Sequence, residues 1–181
     1  IGESTLLLAN EGPQPLPTPV LYLNPGLRVT ALRGHDNEEL PYHRESQAII
    51  LQTPLPPGEE TLVRLTYEGP IDEAVCFPDF TDEEFHDTRL RCFFRGYDSR
   101  FRHGRCFARV GDNYTLLFPE CLWYPVAIPP VNVNTPLARQ YDFTRYRLKV
   151  GNVGQRVAIS QGKMTTNGDT AIFTTTNPCP P

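Results

Sequence analysis

The sequence contains no run of apolar residues long enough to cross a bilayer as a helix, which takes about 18 of them. No secretory signal peptide is visible, and the chain opens on Ile1 without an initiator methionine. We therefore interpret it as part of a longer protein, and we expect no direct membrane insertion by this part. Basic residues are also in deficit, since 17 Lys and Arg face 21 Asp and Glu, for a formal charge of −4. This balance argues against a nucleic-acid partner, because dedicated binders are normally basic.

Motifs that carry catalysis are also missing. The sequence has no G-x-S-x-G nucleophile motif, no Gly-rich phosphate loop and no C-x-x-C pair of the kind that builds a zinc knuckle. The five cysteines are an odd number, so at least one thiol is unpaired or bonds to another chain. Cys92 and Cys106 flank a loop-like segment and could form a disulfide, although we favour buried thiols. We expect no catalytic residue and no metal ligand in this chain.

What the sequence does contain is a pattern of short strands separated by turns. The 19 prolines and 13 glycines are too many for a helical bundle, yet the 39% hydrophobic content is enough for one full-sized core. Apolar and polar residues alternate with a period of two, which is the pattern of strands with one buried face. In Thr61–Glu68 this alternation places Val63, Leu65 and Tyr67 on the buried face. Glu59 and Glu60 on the preceding turn are expected to face water.

The segment Gly26–Arg33 carries the same alternation and predicts that Leu27, Val29 and Ala31 share a buried face. Further predicted strands are Gln47–Gln52, Arg145–Val150 and Thr170–Thr176. Turn residues separate these segments, and no amphipathic helix exceeds two turns, with Thr81–Leu90 as the best short candidate. Many short strands with this spacing predict an all-β fold, either an antiparallel β-sandwich or a saddle-like two-sheet domain.

We predict a single β domain over residues 1–181, in which residues 1–19 form an irregular N-terminal lead-in or a first strand. The one clear change of composition lies in the middle of the chain. Asp72–Asp87 is acidic and holds no Lys or Arg, whereas Arg89–Arg109 is rich in arginine and has Asp98 as its one acid. We interpret residues 72–109 as an insertion or long hairpin laid over the sandwich.

Two surfaces are candidates for an interface or a ligand groove. The first is the aromatic pair Trp123 and Tyr124, although we favour core or interdomain packing for it. The second is the arginine-rich segment, where Arg95, Arg100 and Arg102 are interleaved with aromatic residues. That pattern is typical of single-stranded nucleic-acid binding, but we favour pairing with the neighbouring acids. The acidic segment lacks the EF-hand spacing, so we interpret it as a solvated face rather than a cation site.

The order of several motifs resembles a known family. "PPGEE" and "LTYEG" within Pro56–Gly69, and "LWYP" and "AISQG" later, resemble the N-terminal β domain of aminopeptidase N-type (gluzincin) zinc metallopeptidases. "NPGL" with "PECLWYP" is most similar to peptidase-like regions attached to bacterial ABC-transporter permease-type membrane proteins. The resemblance is absent between about Glu73 and Arg105. The family's H-E-x-x-H and G-A-M-E-N-type motifs do not occur here, and its substrate-binding glutamine has no counterpart before Phe118.

This resemblance implies a non-catalytic N-terminal domain that shapes or covers the substrate cleft of a downstream zinc domain. It implies that zinc is held in that later domain and that this chain itself has no cofactor. The implied partner is the downstream peptidase-like domain of the same polypeptide, with a peptide or protein as a further ligand. The implied location is periplasmic, as the extracytoplasmic part of a membrane-anchored protein.

Two alternatives stay open beside this interpretation. One is a stand-alone extracytoplasmic β-sandwich module that binds a protein or a glycan through the Trp123–Tyr124 region or the arginine-rich segment. The other is an autonomous hydrolase that uses a cysteine and a histidine, which predicts thiol-sensitive turnover. The sequence downstream of Pro181 separates the metallopeptidase interpretation from the binding module, because H-E-x-x-H there favours the metallopeptidase.

Overall fold

The structure is a computed structural model that describes residues 1–72, 108–117, 121–127, 145–153 and 156–177. Within these residues the protein forms strands and turns and no α-helix, which confirms the predicted all-β class. The strands are β1 Gly2–Ala9, β2 Val20–Tyr22, β3 Arg28–Arg33, β4 Tyr42–Glu45, β5 Ala48–Leu51, β6 Glu60–Glu68, β7 Ala108–Val110, β8 Thr115–Leu117, β9 Arg147–Val150, β10 Lys163–Asn167 and β11 Thr170–Thr174.

Two sequence predictions fall mainly on residues that the structure does not describe. The short helix predicted at Thr81–Leu90 lies outside the described residues, and so does nearly all of the insertion predicted at 72–109. In the described part of the protein, no helix has the length and apolar character needed to span a membrane.

Strand β6 is the centre of the first sheet, whose order is β1-β6-β3 with antiparallel neighbours. Its pairing with β1 extends over the whole of β1 and places Gly2 opposite Tyr67. The first residues therefore supply a strand rather than only an irregular lead-in. Val63, Leu65 and Tyr67 are buried, as the alternation predicted, and Glu59 is exposed on the turn before the strand.

Strand β3 departs from the predicted alternation. Its register with β6 shifts between Val29 and Ala31, which makes Thr30 the extra residue of a β-bulge. Leu32 lies opposite Leu65 as a result and is only 3% exposed, whereas Ala31 is half-buried. The predicted buried face is therefore wrong at Ala31, because a bulge resets the period of two within a strand.

The second sheet has the order β2-β5-β4 and is also antiparallel. Strand β5 lies inside the predicted segment Gln47–Gln52 and confirms it. Both sheets contribute side chains to one hydrophobic core, which gives the two-layered arrangement of a sandwich. That core consists of Leu21, Leu23, Leu27, Leu32, Ile49, Leu51, Val63, Leu65 and Tyr67.

The protein divides into two compact units, Ile1–Arg139 and Gln140–Pro181. The first unit holds both sheets described above and an antiparallel hairpin of β7 and β8. The second unit holds a sheet of order β9-β11-β10, in which Ala171 and Phe173 of β11 are buried. Strands β9 and β11 confirm the strands predicted near the C-terminal end. The single domain over residues 1–181 stays a prediction.

Candidate functional site

The turn after β2 is built around a buried asparagine. Asn24 is fully buried, and such a polar residue needs partners for its amide group. Its Oδ1 accepts hydrogen bonds from the backbone N–H groups of Gly26 at 3.0 Å and Asp72 at 2.9 Å. Its Nδ2 donates to the carbonyl oxygens of Cys121 at 2.7 Å and Asp72 at 3.1 Å. One amide group thus joins three separate segments of the first unit.

Arg44 of β4 holds the same turn from another side. Its guanidinium donates to the carbonyl oxygens of Leu27 at 2.5 Å and Asn24 at 2.9 Å, with Leu23 further off at 3.4 Å. Burial lowers the pKa of the Arg44 guanidinium, and the neighbouring Tyr42 hydroxyl acts in the opposite direction. An arginine stays charged at neutral pH even so, and its fork of donors matches several carbonyl oxygens at once.

The end of β6 meets this turn at a pair of glycines. A Cβ atom added to Gly26 would lie 2.4 Å from the carbonyl oxygen of Pro70, and one added to Gly69 would lie 2.4 Å from that of Gly26. Gly69 also has a φ of 136°, which residues other than glycine rarely adopt. The "EGP" that ends β6 is therefore explained by a close approach of two backbones.

The segment with the predicted aromatic pair lies against the open edge of β2. Tyr22 and Val126 exchange backbone hydrogen bonds of 2.7 and 3.0 Å, and Asn24 N–H donates to the carbonyl oxygen of Leu122 at 2.8 Å. Leu122 is fully buried, and the residues Trp123 and Tyr124 are half-buried. The two ring centroids lie 4.6 Å apart at 76°, an edge-to-face contact.

These contacts place Trp123 and Tyr124 on a well-held segment of the first unit, with part of each residue at the surface. The assignment of this pair as an interface or groove stays a prediction. The other residues predicted for such a surface, Arg95, Arg100 and Arg102, lie outside the described residues. The arginine part of the predicted surface therefore stays a prediction as well.

Across the described ranges, no three His, Cys, Asp or Glu residues come together in a way that could hold a metal ion. His43 Nε2 lies 3.3 Å from Glu45 Oε1, and both residues are exposed on β4. Such a surface pair contributes little free energy. The chemistry that the described residues support is the binding of backbone groups by the buried amide of Asn24 and the half-buried guanidinium of Arg44.

Sequence reasoning missed both residues at the centre of this arrangement. A signal for Asn24 did exist, because an asparagine two residues before a glycine in "NPG" is typical of a turn in which the asparagine amide bonds the backbone. Nothing local marks Arg44, since its role depends on the β4–β5 hairpin bringing it onto the turn at 23–27.

Comparisons with known proteins show the fold and do not show a family. No family model matches the sequence, and no curated protein matches it.

An M1 zinc metallopeptidase from Deinococcus radiodurans is 20% identical with a TM-score of 0.57, over 98% of this chain and 35% of that chain. A mutant of an M1 zinc metallopeptidase from the same organism, bound to a Tyr-Ser-Ala substrate, is 18% identical with a TM-score of 0.54, over 99% and 35%. A two-domain M1 zinc metallopeptidase mutant bound to L-tryptophan is 18% identical with a TM-score of 0.53, over 98% and 35%. The chain thus spans about a third of the length of the metallopeptidase chains whose fold it shares.

Proposed function

We propose that this chain is the non-catalytic N-terminal β domain of a metallopeptidase-like protein, and that it shapes or covers the substrate cleft of a downstream zinc domain. The observation that carries the proposal is the fold, which matches M1 zinc metallopeptidase chains over 98% or more of this chain but 35% of theirs. The rest of such a polypeptide is long enough for a separate domain that holds the zinc.

The contacts of the described residues support a scaffolding role. A buried amide such as that of Asn24 and a half-buried guanidinium such as that of Arg44 also occur in catalytic sites, but here their partners are backbone groups of turns. Backbone hydrogen bonds with Tyr22 and Asn24 hold the segment of Trp123 and Tyr124 on β2. We propose this aromatic pair as the part of the described surface that faces the cleft, with a peptide or protein as the ligand there.

The proposed parent protein is anchored in a bacterial membrane, with this part of it on the periplasmic side. The support is the similarity of "NPGL" and "PECLWYP" to peptidase-like regions of ABC-transporter permease-type proteins. The complete reading frame tests this directly, through the presence of transmembrane segments and of H-E-x-x-H downstream of Pro181. A stop codon or an unrelated module at that point contradicts the proposal and favours the stand-alone binding module.

The test of function uses the purified parent protein and three variants of it. We expect Trp123→Ala and Tyr124→Ala to raise KM for a peptide substrate by about tenfold, or ~1.4 kcal/mol, with bound zinc unchanged. Tyr114→Ala is the control, because Tyr114 is an exposed tyrosine in the β7–β8 turn and lies outside the segment of Trp123 and Tyr124.

Three results would contradict the proposed role. Equal increases of KM in all three variants would show that Trp123 and Tyr124 do not face the cleft. Binding of a glycan by residues 1–181, lost in Trp123→Ala, would support the binding module instead. Thiol-sensitive turnover by residues 1–181 would support an autonomous hydrolase.

A further inference from the structure

The hairpin of β10 and β11 ends in an exposed asparagine that is followed by glycine. Asn167 is the last residue of β10 and pairs with Thr170, which leaves Gly168 and Asp169 as a two-residue loop. Gly168 has a φ of 57°, the left-handed conformation that such tight loops require of one residue. Asn167 is exposed, and among the described atoms none lies within 4 Å of a Cβ built on Gly168.

Other asparagines are protected by their neighbours in the sequence or by their contacts. Asn24 and Asn177 each precede a proline, which has no backbone N–H group. Asn10 is buried, and its amide is held by hydrogen bonds with Gln14 O, Leu55 O and Gly12 N. Asn167 combines an exposed amide with the least hindered following residue, and no other asparagine in the sequence precedes glycine.

We propose that Asn167 is a site of spontaneous covalent modification in the folded protein. The backbone nitrogen of Gly168 attacks the amide carbon Cγ of Asn167 and forms a new C–N bond. The bond between Cγ and Nδ2 of Asn167 breaks, and Nδ2 leaves as ammonia with the proton from Gly168, so that a cyclic imide remains. Water then adds to one of the two imide carbonyls and gives either aspartate or isoaspartate at position 167.

The products change the hairpin in two ways. Both carry a carboxylate close to Asp169, so like charges come together in a short loop. Isoaspartate also adds a methylene group to the backbone, which disturbs a register that places Met164 opposite Phe173. Because Ala171 and Phe173 of β11 are buried, we expect the second unit to be less stable after modification.

The test is to incubate the folded protein at mildly alkaline pH and to follow each asparagine by peptide mass spectrometry. Replacement of an amide NH2 by OH gives the diagnostic mass increase, and an isoaspartate-specific methyltransferase identifies the second product. Cleavage after Lys163 leaves Asn167 and Asn177 on one peptide, so Asn177 is an internal reference. Asn37 and Asn152 are also exposed but precede Glu and Val, so their rates of modification show the effect of the residue that follows the asparagine.

We expect Asn167 to be lost about tenfold faster than Asn37 or Asn152, a difference in barrier of ~1.4 kcal/mol. Gly168→Ala slows the loss, because its Cβ hinders the attacking nitrogen, and Asn167→Gln abolishes the mass change on that peptide. Loss of Asn167 at the rate of Asn37, loss that Gly168→Ala leaves unchanged, or loss that occurs only in denaturant would each overturn the proposal.

Discussion

At the residue scale, buried asparagines organise the turns of the first unit. Asn24 follows β2 and Asn10 follows β1, and the amide of each one bonds backbone groups that are distant in sequence. Their amides replace the hydrogen bonds that irregular backbone loses when it leaves a sheet. A buried amide of this kind is costly to remove, because its former partners stay buried without hydrogen bonds.

We expect Asn24→Ala to lower the free energy of unfolding by about 2–4 kcal/mol, because four hydrogen bonds of the amide are lost together. Urea denaturation followed by tryptophan fluorescence measures the change. Asn37→Ala is the matched control, since Asn37 is exposed and accepts a hydrogen bond from Arg33 at the surface. We expect a change of at most ~1 kcal/mol there, since Asn37 has a φ of 66°, which alanine adopts less readily than asparagine. Equal losses in the two variants would contradict the structural role of Asn24.

The Tyr67 hydroxyl links stability to alkaline pH. Burial raises the pKa of this phenol above its ordinary value, and the hydrogen bond with Ser4 at 3.1 Å acts in the opposite direction. The folded state therefore keeps the proton more tightly than the unfolded state. The resulting stability is fully present below pH ~10, the ordinary pKa of tyrosine, and is lost as the pH rises through the folded pKa.

We expect the unfolding midpoint in urea to fall more steeply above pH ~10 in the unmodified protein than in Tyr67→Phe, which has no phenol proton at this position. The difference in tyrosinate absorbance between the folded unmodified protein and folded Tyr67→Phe gives the titration of the Tyr67 hydroxyl. Parallel pH profiles for the two proteins would show that Tyr67 does not contribute.

At the scale of the elements, β6 explains the geometry of the first sheet. It begins after a turn with Gly58 in a left-handed conformation and pairs with both β1 and β3. It ends at Glu68, and the backbone of the next residue, Gly69, passes close to the turn at Gly26. The strand is the central strand of a structural sheet, and the pairing of that sheet is interrupted by the bulge at Thr30 in β3.

The bulge predicts a reversal of the mutational pattern that strict alternation implies. We expect Leu32→Ala to cost about 2–5 kcal/mol, because Leu32 is buried in the core and its removal leaves a cavity. Ala31→Ser should cost less than ~1 kcal/mol, since Ala31 is only half-buried. Denaturation by urea measures both variants. A larger loss of unfolding free energy in Ala31→Ser than in Leu32→Ala would support strict alternation and contradict the bulge.

The contact between Gly69 and Gly26 gives a second test at this scale. We expect Gly69→Ala to destabilise the protein by about 2–4 kcal/mol, because the new Cβ meets the Gly26 carbonyl oxygen and the φ of 136° is unfavourable. Gly58→Ala is the control for φ alone. Gly58 has a φ of 73° with no described atom within 4 Å of the added Cβ, so we expect a cost of ~1 kcal/mol. Thermal melts should rank the two variants in this order, and the reverse order would contradict the close approach.

At the scale of the whole molecule, the repetitive part of the fold was predictable. Alternation in Thr61–Glu68 identified both the strand and its buried residues, because the direction of successive residues in a strand depends on local geometry alone. The all-β class followed from several such segments with turns between them. The bulge at Thr30 was not predictable, since it depends on how β3 pairs with a strand more than thirty residues away.

The candidate site was less predictable than the fold. Trp123 and Tyr124 stand out in the sequence as aromatic residues between prolines, but their position on β2 comes from backbone hydrogen bonds with Tyr22 and Asn24. Arg44 has no local signal at all, because the carbonyl groups that it binds belong to another turn.

The amino-acid sequence by itself determined which segments are extended, which faces of them are apolar and where glycine or proline ends them, because these properties follow from neighbours in the sequence. Only the tertiary structure decided the partners of Asn24 and Arg44, the register reset at Thr30 and the contact of Gly26 with Gly69. Each of these joins groups that are far apart in sequence, and hydrogen bonding and steric exclusion act on distances in space.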